Sequence, residues 1–216
     1  LRPVVTADDL SAEGCADMLA RIKSAGRDVR GAVDVMLHTE SVLERLTGTG
    51  YVSRESAQNL GLVGMAARAC GLKIDARLHF PLADLPTRDC APRVETTGDV
   101  LARTLVRSRE IDDSLRLLEA DLSTLANLPP LAEQPDAEAL ASLPPDTLAV
   151  SQVEGWRGEL CHVAVTGPEG NFLAYKTIDP SFHNWSGLAM ALRGNQISDF
   201  PLCNKSFNLS YCGHDL

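Results

Sequence analysis

The sequence predicts an α+β fold: a mainly helical bundle followed by a small C-terminal α/β section that contains a β-hairpin. Apolar residues recur at helical spacing through the first 127 residues, whereas strand-like apolar runs begin only after residue 150. A proline-rich stretch lies between the two parts. We therefore divide the chain into a helical body (1–128), a linker (129–150) and an α+β section (151–216) that packs on the body.

Three helical segments are expected in the body. The first covers about Asp8 to Arg45, where Gly26 could mark a bend or a joint between two helices. Ser53 is a candidate N-cap of a short helix that Gly61 ends. The third, Gly98 to Asn127, has the clearest pattern. Its apolar stripe consists of Leu101, Leu105, Ile111, Leu115, Leu118, Leu122 and Leu125.

Prolines and glycines mark the remaining boundaries. Phe80 to Arg93 and Leu128 to Asp146 are predicted to be irregular because each contains several prolines. Leu160 to Val165 and Phe172 to Ile178 are predicted strands joined by a hairpin-type turn. A short helix is expected at about Trp185 to Arg193.

Composition excludes several classes of protein. The formal net charge of -9 argues against a broad nucleic-acid surface, which needs clustered Lys and Arg. No apolar run approaches the roughly 20 residues of a membrane-spanning helix, and no secretory signal is predicted. The chain does not begin with Met, so we expect it to be part of a longer protein.

The cysteines favour reduced thiols over a disulfide scaffold. Their spacings are wide, the chain is long enough to build an apolar core, and no Cys-x-x-Cys occurs. The six are Cys15, Cys70, Cys90, Cys161, Cys203 and Cys212.

Three blocks of sequence carry a resemblance. The first, Leu46 to Arg77, contains Arg-Ala-Cys-Gly and then Asp-Ala-Arg. The second begins at Gly98-Asp99-Val100 and continues through Arg103, Arg107 and Glu110. The third contains Glu154-Gly-Trp-Arg-Gly-Glu159 and, further on, Asp179-Pro-Ser-Phe-His-Asn184. In this order they resemble the C-terminal part of the large subunit of energy-converting, formate hydrogenlyase-type nickel–iron hydrogenases. The quinone-site subunit of complex I shares the pattern.

The resemblance implies a metal site whose C-terminal half is degenerate here. The family holds nickel and iron with two Cys-x-x-Cys pairs, since thiolates are soft ligands. When this sequence is aligned with the C-terminal Cys-x-x-Cys pair of the family, Ser210 and Gly213 occupy the two cysteine places and Cys212 falls between them. We therefore expect no nickel–iron centre. Complex I subunits have lost the same cysteines and use the cavity for quinone.

Arg68, Asp75 and Arg77 are the first candidate site residues. The resemblance implies that they line the former active-site cavity and tune redox or proton steps there. The alternative is a structural Asp–Arg pair that braces a loop, since buried pairs of this kind are common.

Glu154, Arg157 and Glu159 are the second group of candidates. They could form a proton path, which requires a carboxyl group whose pKa is raised by burial, or an interface to a neighbouring subunit. The alternative is an ion-paired entrance to a strand, with Arg157 between two glutamates.

His183, His214 and Cys212 are weaker candidates. Each histidine could be a ligand or a proton carrier, although histidines beside turns are commonly structural. A Cys212–His214 nucleophile is disfavoured, because reactive pairs usually meet through the fold rather than along the chain.

The resemblance implies an oxidoreductase subunit at the cytoplasmic side of a membrane, without a span of its own. The implied partners are a small iron–sulfur subunit and membrane subunits. Quinone is a possible ligand, and the family that the chain resembles includes NAD-linked enzymes. No cofactor is expected within this chain, and the chain alone is expected to be inactive. Two alternatives remain: a non-catalytic structural or assembly subunit, and a free-standing enzyme using Cys212 and His214.

Overall fold

A computed structural model describes residues 11–80, 91–127 and 143–214. Within these ranges helices come first, a three-stranded antiparallel sheet follows, and shorter helices end the chain. The helices are α1 (Ala12–Leu37), α2 (Glu40–Leu46), α3 (Arg54–Asn59), α4 (Gly64–Ala69), α5 (Ala76–His79), α6 (Val100–Leu125), α7 (Pro180–Ala191), α8 (Phe200–Phe207) and α9 (Tyr211–His214). The strands are β1 (Leu148–Gly155), β2 (Gly158–Thr166) and β3 (Phe172–Ile178). The predicted α+β class is confirmed.

Helix α1 runs through Gly26 without a break, so Gly26 is not a joint between two helices. A Cβ atom at Gly26 would lie 3.0 Å from Leu115 Cδ1, so the glycine allows α1 to approach α6 closely. The break falls later, at His38 and Thr39, where Thr39 adopts an extended backbone before α2. The predicted start at Asp8 lies outside the described residues.

The helix-capping predictions in the body are confirmed. Ser53 Oγ accepts a hydrogen bond from Ser56 N at 3.0 Å and so caps α3. Gly61 follows that helix with a φ of +66°, which glycine adopts without strain. The long helix α6 starts after Asp99, whose side chain accepts from Ala102 N at 2.8 Å.

The two predicted strands pair as β2 and β3, but β1 was missed. Strand β1 begins at Leu148, inside the predicted linker, and most of its side chains are exposed, so it lacks the apolar alternation that identifies a strand. It pairs with β2 through a two-residue turn at Trp156 and Arg157. Residues 81–90 of the first predicted loop and 128–142 of the linker lie outside the described residues, and the division into domains stays a prediction.

The C-terminal helices complete the core of the helical body. Leu188, Cys203 and Phe207 are at most 2% exposed and pack with Leu62 and Val52 of the body. Helix α7 begins five residues before its predicted start, because the Asp179 carboxylate caps it and Pro180 occupies its first turn. No helix among the described residues is both long and apolar enough to cross a membrane.

Gly64 and Gly158 fix the sheet against the body. Gly64 has a φ of +62°, and a Cβ atom there would lie 2.2 Å from Gly158 Cα. The buried Asn184 side chain stabilises the same junction. It accepts from Val63 N at 3.0 Å and donates to the carbonyl oxygens of Val63 and Arg157, each at 3.2 Å. The turn between β1 and β2 therefore has a defined position over α4.

Candidate functional site

Arg68 is a buried cation at the centre of the first candidate site. It lies on α4, whose residues are all buried, and only 2% of its side chain is exposed. A guanidinium group at such a depth must be paired and hydrogen-bonded. Arg68 Nη1 donates to the carbonyl oxygen of Ile74 at 2.8 Å, and the other partners are carboxylates.

Three carboxylates from three elements surround Arg68. Glu110 of α6 accepts from Arg68 Nε at 2.7 Å and from Nη2 at 3.2 Å, a bidentate pair. Glu154 of β1 accepts from Arg68 Nη1 at 2.7 Å, and its other oxygen accepts from Ala76 N at 2.9 Å. Asp75 Oδ2 lies 3.6 Å from Arg68 Nη1. One arginine therefore joins the helical body to the sheet.

Asp75 links this arginine to Arg77. Its fully buried carboxylate caps α5 through Arg77 N at 3.0 Å. It also accepts from Arg77 Nε at 2.9 Å and from Nη2 at 2.6 Å. Burial alone would raise the pKa of Asp75, but the hydrogen bonds and charge of Arg77, together with Arg68, outweigh it and hold the pKa below its usual value.

The charges of this ionic cluster are unequal: two arginines face three carboxylates. Burial opposes the charge on Arg68, yet its attraction to Glu110 and Glu154 leaves its pKa above the ordinary value. Burial raises the pKa of Glu110 against the opposing pull of Arg68. The Glu110 side chain is also 17% exposed, so it is the member of the cluster suited to exchanging a proton with its surroundings.

The structure thus joins four of the six predicted site residues and separates the other two. Arg68, Asp75, Arg77 and Glu154 are in the cluster, whereas Arg157 and Glu159 are not among its contacts. Arg157 Nε donates to the carbonyl oxygen of Asn208, and no ion pair joins Arg157 to either glutamate within the described residues. The predicted Glu–Arg–Glu entrance is therefore wrong for Arg157, because a turn residue between two paired strands is directed towards the end of α8 instead.

Glu110 is the functional candidate that sequence reasoning missed. The sequence identifies Glu110 only as a member of the second block of the resemblance, seven residues after Arg103, and assigns it no role. Nothing in its local pattern distinguishes it from the other acidic residues of α6. Only the packing of α4 against α6 brings it to Arg68.

Arg103 and Arg107 form, with Arg157, a second cationic group around the end of α8. Arg103 is 1% exposed and donates to two backbone carbonyl oxygens and to a serine hydroxyl, with no carboxylate among these partners. It lies over the Phe207 ring at 4.4 Å, and Arg107 Nη2 donates to Phe207 O at 2.8 Å. Burial lowers the pKa of each of Arg103 and Arg107 to about 10.

Ser210 and Gly213 hold structural positions at the start and the end of the last turn. Ser210 Oγ accepts from Gly213 N at 3.0 Å, and Ser210 N donates to Ser181 Oγ at 2.9 Å. A Cβ atom at Gly213 would lie 2.5 Å from Asp179 Cγ. The side chains at these two places offer one hydroxyl group and no thiolate, so they do not match the soft donor set of a nickel–iron centre.

The weaker candidates lie in an aromatic group beside this turn. His214 stacks on Phe182 at 5.8 Å, and His183 meets the same ring edge-on at 5.5 Å. Cys212 is exposed. Across the described ranges, no group of three or more His, Cys, Asp or Glu side chains is arranged to hold a metal ion.

The fold has a counterpart among solved structures. With a TM-score of 0.83, the chain superposes on the membrane-bound sulfane sulfur reductase, an archaeal respiratory membrane complex, at 23% sequence identity. The match covers 94% of this chain and 56% of that one. At this identity the likeness establishes the fold alone.

The family follows from the sequence comparison. Residues 2–215 match the model of the "Respiratory-chain NADH dehydrogenase, 49 Kd subunit", and the chain belongs to this family. It is 29% identical over 185 residues to formate hydrogenlyase subunit 5 of Escherichia coli (strain K12), covering 86% of this chain and 32% of that protein. It is also 30% identical over 177 residues to an NADH-quinone oxidoreductase subunit of Geobacillus thermodenitrificans (strain NG80-2), covering 78% of this chain and 45% of that one.

The predicted resemblance is thereby confirmed. The chain spans between about a third and a half of the length of these two relatives. Neither the loss of the metal site nor the roles of the six candidate residues is tested by these likenesses.

Proposed function

We propose that this chain is the large-subunit component of a membrane-associated, hydrogenase-like or NADH:quinone oxidoreductase-like electron-transfer complex, and that it works without a nickel–iron centre. The close approach of Gly213 to Asp179 supports the absence of a nickel–iron centre most directly. A cysteine at position 213 would place its Cβ atom within 2.5 Å of the Asp179 carboxyl carbon. That carboxylate caps α7 through Ser181 N at 2.7 Å, so it cannot move away without exposing the helix end.

The ionic cluster is the proposed centre of the remaining chemistry. A quinone or another acceptor would take the place of the metal site. Glu110 would donate one of the protons that a quinone takes up on reduction and would recover it from its surroundings. Its raised pKa and partial exposure support this role. Electrons would arrive from a small iron–sulfur subunit, and membrane subunits would anchor the complex at the cytoplasmic side.

A second candidate function is a structural or assembly subunit without a redox step. The arrangement around Arg68 favours it, because three carboxylates and a backbone carbonyl already occupy this guanidinium. A cation that is paired in this way holds α4, α6 and β1 together, and this role requires no ligand cavity.

Quinone-dependent turnover of the assembled complex separates these functions. We expect Glu110→Gln, which is nearly isosteric, to lower turnover at least tenfold and to shift the pH profile of the rate while the complex still assembles. Glu95→Gln is the matched control, since Glu95 pairs with Arg109 nearer the surface. Unchanged turnover in Glu110→Gln would contradict the redox role and favour the structural one.

A further inference from the structure

An open groove lies between α1, α6 and α8. Its volume is about 290 Å³, near the lower end of the roughly 300–1,000 Å³ that small-molecule sites occupy. Its wall is mostly apolar: Val33 and Met36 come from α1, Val100 and Ile111 from α6, and Leu202 from α8. Such a wall favours the hydrocarbon chain of a ligand, because apolar surface on both sides is removed from water.

The lining of this α1–α6–α8 groove includes two cations and no carboxylate. Arg107 and Lys205 both line it. Two of the hydroxyl groups that line it are already engaged as donors: Thr104 Oγ1 donates to Val100 O at 2.9 Å and Ser206 Oγ to Cys203 O at 2.6 Å. The N–H groups of the two cations and the Ser108 hydroxyl group are therefore the donors that the groove can offer to a ligand.

Arg107 has no hydrogen-bonded carboxylate among the described residues. Among the described residues its Nη2 donates to Phe207 O, but its buried Nε has no hydrogen-bond partner. The guanidinium lies 5.3 Å from the centre of the Trp156 ring. Burial, Arg103 and Arg157 lower its pKa, and the charge of Glu110 opposes them. An incoming carboxylate would offset the repulsion from Arg103 and Arg157.

A neighbouring groove shows the opposite arrangement. It lies between α1 and α6, has a volume of about 180 Å³, and contains Lys23, Arg27 and Arg30. Glu119 lines it as well, and Arg30 already pairs with Asp112 at 2.7 Å. A carboxylate therefore lines the smaller groove, whereas none lines the larger one.

We propose that the α1–α6–α8 groove binds a medium-chain carboxylate, with the hydrocarbon chain along the apolar wall and the carboxylate at Arg107 and Lys205. This site is separate from the proposed redox centre, and it stands whether or not that proposal holds.

Photolabelling of the assembled complex tests the site. The probe is a medium-chain carboxylate with a photoreactive diazirine, and labelled peptides are mapped by mass spectrometry. We expect labelling of the α1, α6 and α8 peptides, with competition by octanoate. Octanol, which has the tail alone, and acetate, which has the head group alone, should compete at least tenfold more weakly.

Two variants and one control make the outcome decisive. Arg107→Gln should reduce labelling at least tenfold, and Ile111→Trp, which fills the groove without changing a charge, should also reduce it. Lys23→Gln, in the smaller groove, should leave it unchanged. Equal competition by octanol, undiminished labelling in Ile111→Trp, or labelling of the free chain that disappears in the complex would overturn the proposal. The last result would identify the groove as a contact between subunits.

Discussion

Replacing Arg68 by leucine should destabilise the protein severely. The arginine side chain is 2% exposed, and the side chains of Asp75, Glu110 and Glu154 lie within 3.6 Å of its guanidinium. Removing one partner of a buried ion pair typically costs about 3–5 kcal/mol, because the remaining charge has neither water nor a counterion. Glu110 and Glu154 lose this partner while Asp75 keeps Arg77, so we expect a cost within that range.

The loss can be measured as a free energy of unfolding from urea titrations followed by circular dichroism. A protein of ordinary stability, about 5–15 kcal/mol, would lose a large fraction of it. Arg93→Leu is the matched control. Arg93 also forms a bidentate pair, with Asp113, but its side chain is 41% exposed, and exposed pairs contribute only about 0.2–1 kcal/mol. Equal losses in the two variants would refute the account of a buried cluster that depends on Arg68.

Three further predictions concern the same junction. The folded pKa of Asp75 lies below its usual value of 3.8, so its contribution to stability is complete above pH 3.8 and is lost as the pH falls through the folded pKa. The difference in unfolding free energy between wild type and Asp75→Asn should therefore shrink as the pH is lowered, which urea titrations at stepped pH measure. A difference that stays constant with pH would contradict this prediction. Gly64→Ala should cost several kcal/mol or prevent folding, because the new Cβ atom would lie 2.2 Å from Gly158 Cα. Gly61→Ala is the control: its φ is similar, but no atom lies within 4 Å of the new Cβ atom. It should cost only about 1–2 kcal/mol of backbone strain in the same assay. Asn184→Ala should lower the unfolding free energy by about 1–3 kcal/mol per buried backbone group left unpaired, and a melting temperature equal to wild type would contradict this.

Local patterns were sufficient to predict the long helices and the hairpin. The leucine stripe of α6 and the N-cap serine of α3 are signals within a few residues of the elements that they define. The sequence could not assign the role of Gly26, because a glycine that joins two helices and a glycine that admits a neighbouring helix look alike in a sequence. Only the contact with Leu115 distinguishes the two.

The candidate site was predicted only in part, because its partners come from distant segments. Arg68 and Asp75 are close in sequence, but Glu110 and Glu154 are 42 and 86 residues away from Arg68. Long-range ion pairs have no periodicity that a single sequence displays. The strand β1 was missed for a related reason, since its exposed side chains provide no apolar alternation.

Nickel content tests the central claim most directly. The complex that contains the full-length protein would be purified under conditions that retain bound metals, and its nickel measured by mass spectrometry against protein concentration. The account predicts no stoichiometric nickel, because the resemblance assigns the two C-terminal cysteine places to Ser210 and Gly213. About one nickel atom per chain would contradict it.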